Sequence, residues 1–444
     1  MNIVILAVYL GLIFGVTFWV SRNQTVKSYA LNDRKTSLSM MVFSGSATFL
    51  GAAATVFVVS EAVKGSLFTG IVMMIGFPLS FVVLGFLAPK IREMGNKFNA
   101  MTIADFYANR FGEKNKILMV VFQLIFYVMG IGMQVIAVSY LLSSLFGISY
   151  FYAAVLLFAI SAAYSVIGGL KTDIITDAIQ FGFILLTFIL LAIFLLADTD
   201  FTTVLEATPQ KMLMPFNQKN IPITLLMMCG ILPYEIVSAH IWQRTLSAAN
   251  SKVARDSSFL TAGMIFLIQG LMVFIGLYAF YKLKGTEVAD MALFTLIANT
   301  MPYGLGSLGL AAILAITMSS LDSLFVSGSI LISHNLLKNK NKIWQARGVT
   351  LLFAVVTFSV ALIFPSVATL GYFSIAWSLI PLATILFGIY GKKLSNEGAF
   401  WALLLPMIVT LIAYPYIKFM CIIASPLLSL LVILVYDKIF QKNK

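Results

Sequence analysis

The stretch Ala315–Leu324, AITMSSLDSL, sets three serines and an aspartate inside an apolar run that extends from Leu308 to Ile332. Residues three and four apart share one face of a helix. Ser319 therefore stands beside Asp322 and Ser323, Ser320 beside Ser323, and Ser327 continues the stripe. Hydroxyls and carboxylates are hard oxygen donors, the type that can replace the water around a hard cation. A face of small residues that lets helices approach closely would account for the serines. It does not account for Asp322, because an aspartate at the centre of a spanning helix costs about 2.5–3.5 kcal/mol on insertion. The set reads as one wall of a cation site.

Few other ionisable groups fall within apolar runs. Asp177 and Glu235 do, while Glu61, His240 and His334 sit nearer the ends. Such groups are expected to face a cavity or one another. Two further runs carry helix breakers. Met40–Thr55, MMVFSGSATFLGAAAT, has Gly45 with Ser46; Cys229–Arg244, CGILPYEIVSAHIWQR, has Gly230 with Pro233. A break frees carbonyls, and these are tolerated at membrane depth only where they line a cavity or are buried in protein. Interrupted spans at corresponding points of two halves point to a transporter binding site.

The elements that position these residues are membrane spans. The 444 residues are 60% hydrophobic and 10% charged, with a mean hydropathy of +0.99, far from a soluble domain. Thirteen spans are expected, at about 3–21, 38–62, 66–89, 116–145, 150–170, 174–197, 221–240, 257–282, 303–335, 344–364, 366–390, 398–416 and 419–437. They group as one integral membrane transporter domain, 1–444: a first helix, a repeat over 38–197, a second over 221–390, and C-terminal helices over 398–437. Ile3–Val20 lacks a basic flank before it and a cleavage site after it, so it reads as a retained span rather than a signal peptide.

Placing the N-terminus outside and the C-terminus in the cytoplasm puts 23 Lys and Arg on the inside against 6 outside, as the positive-inside rule requires of a multi-pass protein of the cell membrane. That explains the net charge of +12 without a nucleic-acid partner. Cys229 and Cys421, with His240 and His334, form neither a disulfide framework nor a transition-metal signature. No catalytic constellation and no organic cofactor are expected.

Several segments carry a family resemblance: SATFLG (Ser46–Gly51), MTIADFYANRFG (Met101–Gly112), GGLKTDIITDAIQ (Gly168–Gln180), QRTLSAAN (Gln243–Asn250), LAITMSSLDS (Leu314–Ser323) and EGAFWALL (Glu397–Leu404). In this order they resemble the solute:sodium symporter family, relatives of the sodium/glucose, sodium/proline and sodium/sialic acid carriers. The resemblance implies an all-α LeuT-type fold, a 5+5 inverted repeat with one extra N-terminal and two extra C-terminal helices. It implies Na+ as coupling ion, held by carbonyls of Met41, Ser44 and Ile316 and hydroxyls of Ser319 and Ser320. A second cation, either sodium or a proton, would sit at Asp177, Asp322 and Ser323, where Asp322 departs from the family's usual small or hydroxyl residue. Gly45 would be the break point of the first core helix.

Substrate contacts are expected from Thr48, Tyr234, Glu235, Ser238 and Tyr372. Tyr234 falls where similar sugar carriers place a gating tyrosine, and the Glu235 carboxylate would suit an amine-containing solute. No arginine is expected within the membrane. The function implied is sodium-coupled import of a small polar organic solute by alternating access. The alternatives are a proton-coupled carrier of the same fold and a membrane solute sensor, for which a signalling region after Lys444 would be expected. A channel would need a selectivity filter or rings of charge, and neither is present in the sequence.

Overall fold

The computed structural model describes residues 3–213, 228–283, 289–302, 305–337, 342–363, 367–391, 394–417 and 420–440. Among them nine helices are long and apolar enough to cross a membrane, or ten if one bent pair counts as a span. The spans and the helices that serve the site are α1 (Ile3–Ser21), the bent pair α2 (Leu38–Phe49) and α3 (Ala52–Val63), α4 (Leu67–Lys97), the short α5 (Ile103–Phe111), α6 (Glu113–Phe146) and α7 (Tyr150–Asp198). After these come α8 (Tyr234–Val237), α9 (Ala239–Ser247), α10 (Ser251–Leu283), α11 (Gly306–Asn335), α12 (Ile343–Ala361), α13 (Val367–Ser378), α14 (Leu382–Ile389), α15 (Asn396–Ile417) and α16 (Cys421–Phe440).

Helix α7 covers two of the expected spans. Its 49 residues would extend about 74 Å if straight, against a hydrocarbon core of about 30 Å. It is interrupted at Gly169, whose φ of 64° and ψ of −175° are not helical. The expected span 221–240 begins outside the described residues. Its described part is Met228–Val237, followed by α9.

Helix α11 is the axis of the bundle. Every residue of its apolar window is buried, and it packs against α2, α6, α7, α9 and α12. A helix surrounded on all sides need not be amphipathic, so its polar stripe faces other helices rather than solvent. Helices α1, α12 and α15 have a third or less of their windows buried, as lipid-facing helices do.

One end of the bundle is tied together by polar bonds. Arg34 donates to the carbonyls of Gly95 and Ala100 at 3.0 and 2.9 Å, and Arg92 donates to the Ala248 carbonyl at 2.7 Å. Thr36 and Ala249 exchange backbone bonds with Ser247 and Thr36 at 3.1 Å. Asn335, at the end of α11, donates to Asp105 of α5 at 2.7 Å, and Asn115 donates to the Asn396 carbonyl at 2.8 Å. These bonds bring together the starts of α2, α6 and α15 and the ends of α4, α9 and α11, the same termini that carry most of the lysines and arginines.

Candidate functional site

The break between α2 and α3 lies at Leu50–Gly51, where the pair bends by 45°. This corrects the expected break at Gly45. Gly45 is helical and packs near Thr261, whereas Gly51 leaves the helix with ψ of 151°. A Cβ on Gly51 would lie 2.3 Å from Gln134 Nε2 and 2.7 Å from Ser320 Oγ, so α6 and α11 approach the broken backbone only because no side chain is there. The second break also differs in detail. The chain turns at Leu232–Pro233, and the helical conformation fails at Ser238, with ψ of 119°.

Ser320 joins α11 to the α2 break. Its hydroxyl lies 3.0 Å from the Thr48 carbonyl and 3.2 Å from its own helix's Ile316 carbonyl. Ser44 Oγ donates to Asp177 Oδ2 at 2.6 Å and Ser319 Oγ to Asp177 Oδ1 at 2.5 Å. The two predicted sodium hydroxyls of α11, with Ser44, therefore converge on the cleft between α2, α7 and α11. Met41 lies one turn before Ser44, and its side chain packs with Ala88, Ala248 and Ala254.

Two residues that sequence reasoning left out complete the cluster. The sequence reading set Arg244 in a loop and expected no arginine within the membrane; the structure corrects this. Helix α9 is buried on every side, and Arg244 is 3% exposed. Its Nη2 lies 2.8 Å from Asp173 Oδ2, 2.9 Å from Asp177 Oδ2, 2.7 Å from Thr48 Oγ1 and 2.6 Å from Ser323 Oγ, and its Nε donates to Ser44 at 3.0 Å. The other omission is Asp173. Its signal was in the sequence, since Asp173 and Asp177 are four apart and share a helix face.

Asp173, Asp177 and Asp322 bring carboxylate oxygens within 4.8 Å of one another. Asp322 Oδ1 accepts the Ser323 N–H at 2.8 Å, while its buried Oδ2 has no partner. With every carboxyl ionised, three negative charges would face one guanidinium, leaving a buried excess that calls for a further cation or a proton. The donor set suits sodium, since each hydroxyl that donates to a carboxylate keeps lone pairs for an ion.

Next to this cluster lies a cavity of about 170 Å³ lined by Thr48, Tyr234, Glu235 and Tyr372, four of the five expected substrate contacts. Gln134, His240, Ser320 and several aromatic rings complete its wall. Ser238 is not part of it; its hydroxyl donates to the Tyr234 carbonyl at 2.6 Å and serves the local break. Tyr234 shares a hydrogen bond of 3.2 Å with Ser374 of α13. Thr48 lines the cavity and bonds Asp177 and Arg244, and Ser320 lines the cavity and bonds the Thr48 carbonyl, so the cavity and the ionic cluster share a wall.

The sodium:solute symporter family model matches residues 33–405. The sodium/pantothenate symporter of Haemophilus influenzae is 24% identical over 480 residues, covering 99% of this chain and 96% of its own. The sodium/glucose cotransporter of Vibrio parahaemolyticus is 24% identical over 459 residues, covering 90% and 82%. A Na+-coupled sialic acid symporter, solved substrate-bound and outward-open, superposes with a TM-score of 0.83 at 18% identity over 99% of this chain and 97% of that one. The fold is thus that of the LeuT-type transporters. With matches along nearly its whole length, the chain belongs to the sodium:solute symporter family, whose work is sodium-coupled movement of solutes across a membrane.

Proposed function

We propose that the chain imports a small polar organic solute with sodium, holding the ion between α2 and α11 and the solute in the adjoining cavity. The observation that carries this reading is the convergence of Ser44 and Ser319 on Asp177, with Ser320 on the Thr48 carbonyl beside the α2 break, a set of hard oxygens that adjoins the cavity through Thr48 and Ser320. Carbonyls of Met41, Ser44 and Ile316 complete the proposed sodium site. Asp177, Asp322 and Ser323, now joined by Asp173 and Arg244, form a second site for sodium or a proton. The unpartnered Asp322 Oδ2 supports that addition.

Two five-helix repeats, over about 38–197 and 221–390, would supply the broken helices. The abundance of lysine and arginine at the tied end supports its assignment to the cytoplasm of a cell membrane. The cavity then faces outward. Sodium entry stabilises this state, solute follows, and the bundle rocks to release both. Coupling requires that ion and solute favour the same state, and it is reciprocal.

The test is thermal unfolding in sodium, potassium and choline chloride at matched ionic strength, for wild type and Ser319→Ala/Ser320→Ala. A ligand of the native state at a hundredfold excess over Kd stabilises by about 2.7 kcal/mol. A sodium-specific rise that the double variant loses is expected. Equal curves in all three salts would sink the sodium site.

A further inference from the structure

Glu235 is the unexplained group of the cavity. It is 3% exposed, it lines the cavity wall, and among the described residues no hydrogen bond reaches its carboxylate. Only its backbone N–H is engaged, with Ser80 at 3.3 Å. Arg244 acts on it from beyond ion-pair distance; its Nη2 is committed to Asp173 and Asp177, and its Nη1 is buried without a hydrogen-bond partner. Among the described residues, no lysine or arginine lines the cavity. A second polar atom close by, His240 Nδ1, is buried without a partner.

Aromatic rings form part of the wall beside Glu235. Tyr234, adjacent to Glu235, stands 5.1 Å from Phe126 and 6.2 Å from Phe77, and Phe77 stands 4.6 Å from Phe49, ring centre to ring centre. Ring faces attract cations within about 6 Å. A buried carboxylate without a protein counter-ion is costly until a cation reaches it. A solute carboxylate would meet the opposite situation, a like charge with no lysine or arginine among the described residues of the wall.

Resting on the symport reading of this cavity, we propose that the transported solute is an organic cation carrying an ammonium group, held by Glu235 and the Tyr234–Phe126–Phe77 wall, with His240 Nδ1 as a further polar contact. Sodium and solute are then both cationic, and each neutralises its own carboxylates: sodium those around Asp177, the ammonium that of Glu235. The two charges sit in neighbouring compartments joined by Thr48 and Ser320.

The experiment is a thermal-shift screen of the purified protein in sodium chloride, with matched triples that share a skeleton, such as glucamine, sorbitol and gluconate or ethanolamine, ethylene glycol and glycolate. Amines are expected to raise the unfolding temperature, their neutral and acidic counterparts not. In Glu235→Gln the amine affinity falls by about tenfold or more, and in Glu235→Asp it is partly kept. Hits confined to neutral or acidic compounds overturn the proposal. So does an amine that binds Glu235→Gln as well as wild type, or a panel with no amine hit while sodium stabilises. Amine hits without any sodium-specific rise support this proposal and sink the sodium site instead.

Discussion

At the scale of the residue, Arg244 holds the ion cluster together. One nitrogen, Nη2, meets Asp173, Asp177, Thr48 and Ser323, and Nε reaches Ser44. Removing one partner of a buried ion pair leaves an uncompensated charge, at a cost of about 3–5 kcal/mol. Arg244→Met is expected to destabilise the protein by that order in thermal unfolding. Adding Asp173→Asn to Arg244→Met should recover part of the loss; a double variant no more stable than the single one would mean the aspartate is not what Arg244 balances. Arg244→Lys should not substitute, because a single terminal ammonium cannot supply both the Nη2 contacts to the carboxylates and the separate Nε bond to Ser44. The sequence made Ser319, Ser320, Asp177 and Asp322 readable, since each is polar within an apolar run. Arg244 was hidden because it follows a breaker and precedes polar residues, which is the pattern of a loop. Its burial comes from helices far along the chain closing over α9, and no local pattern encodes that.

At the scale of the element, two glycines set the geometry. Gly169 interrupts α7 in a backbone region that is essentially closed to other residues, and a Cβ there would lie 2.3 Å from the Tyr29 ring. Gly169→Ala therefore carries both strain and a clash, and a loss of about 1–3 kcal/mol or more is expected from the backbone alone. Adding Tyr29→Ala would relieve the clash and not the strain, so a full rescue by that second change would contradict this account. Gly51 has ordinary φ but no room. Gly51→Ala pushes on Ser320, and weaker sodium stabilisation with little change in folding is the expected readout. The spans themselves were legible because their length and apolarity are local properties. The α2 break lies six residues beyond Gly45: a Gly-Ser pair resembles a breaker, while the real break depends on what α6 and α11 press against it.

At the scale of the whole molecule, the cavity reaches from the middle of the bundle toward the end opposite the basic one. Its walls include Phe57 of α3, Met73 of α4 and Tyr372 of α13, all on the halves away from the tied end. That tied end is closed in part by α5. Asp105 accepts from Asn335 at 2.7 Å, pairs with His334 at 3.1 Å, and accepts the N–H groups of Met101 and Thr102 at 2.7 and 3.0 Å. Burial alone would push the Asp105 carboxyl up; His334 and the two backbone N–H groups outweigh it and hold it below its ordinary value. A depressed folded value means that the stability Asp105 contributes is present above the ordinary value of 3.8 and is lost as pH falls through the lower folded one. The Asp105 contribution is thus kept through the ordinary carboxylate range and yields below it. Because α11 carries Ser319 and Ser320 in its middle and is fastened here at its end, Asp105→Ala should free that end and open the basic face. The measurement is labelling of Phe57→Cys, in a Cys229→Ser/Cys421→Ser background, by an impermeant thiol reagent added to one face of a sealed vesicle at a time. With Asp105 intact, labelling is expected from the face opposite the basic one. With Asp105→Ala, labelling from the basic face should rise, and sodium, by favouring the state closed at that end, should reduce it again. Unchanged labelling from the basic face would mean that the Arg34, Arg92 and Thr36 bonds close this end without α5.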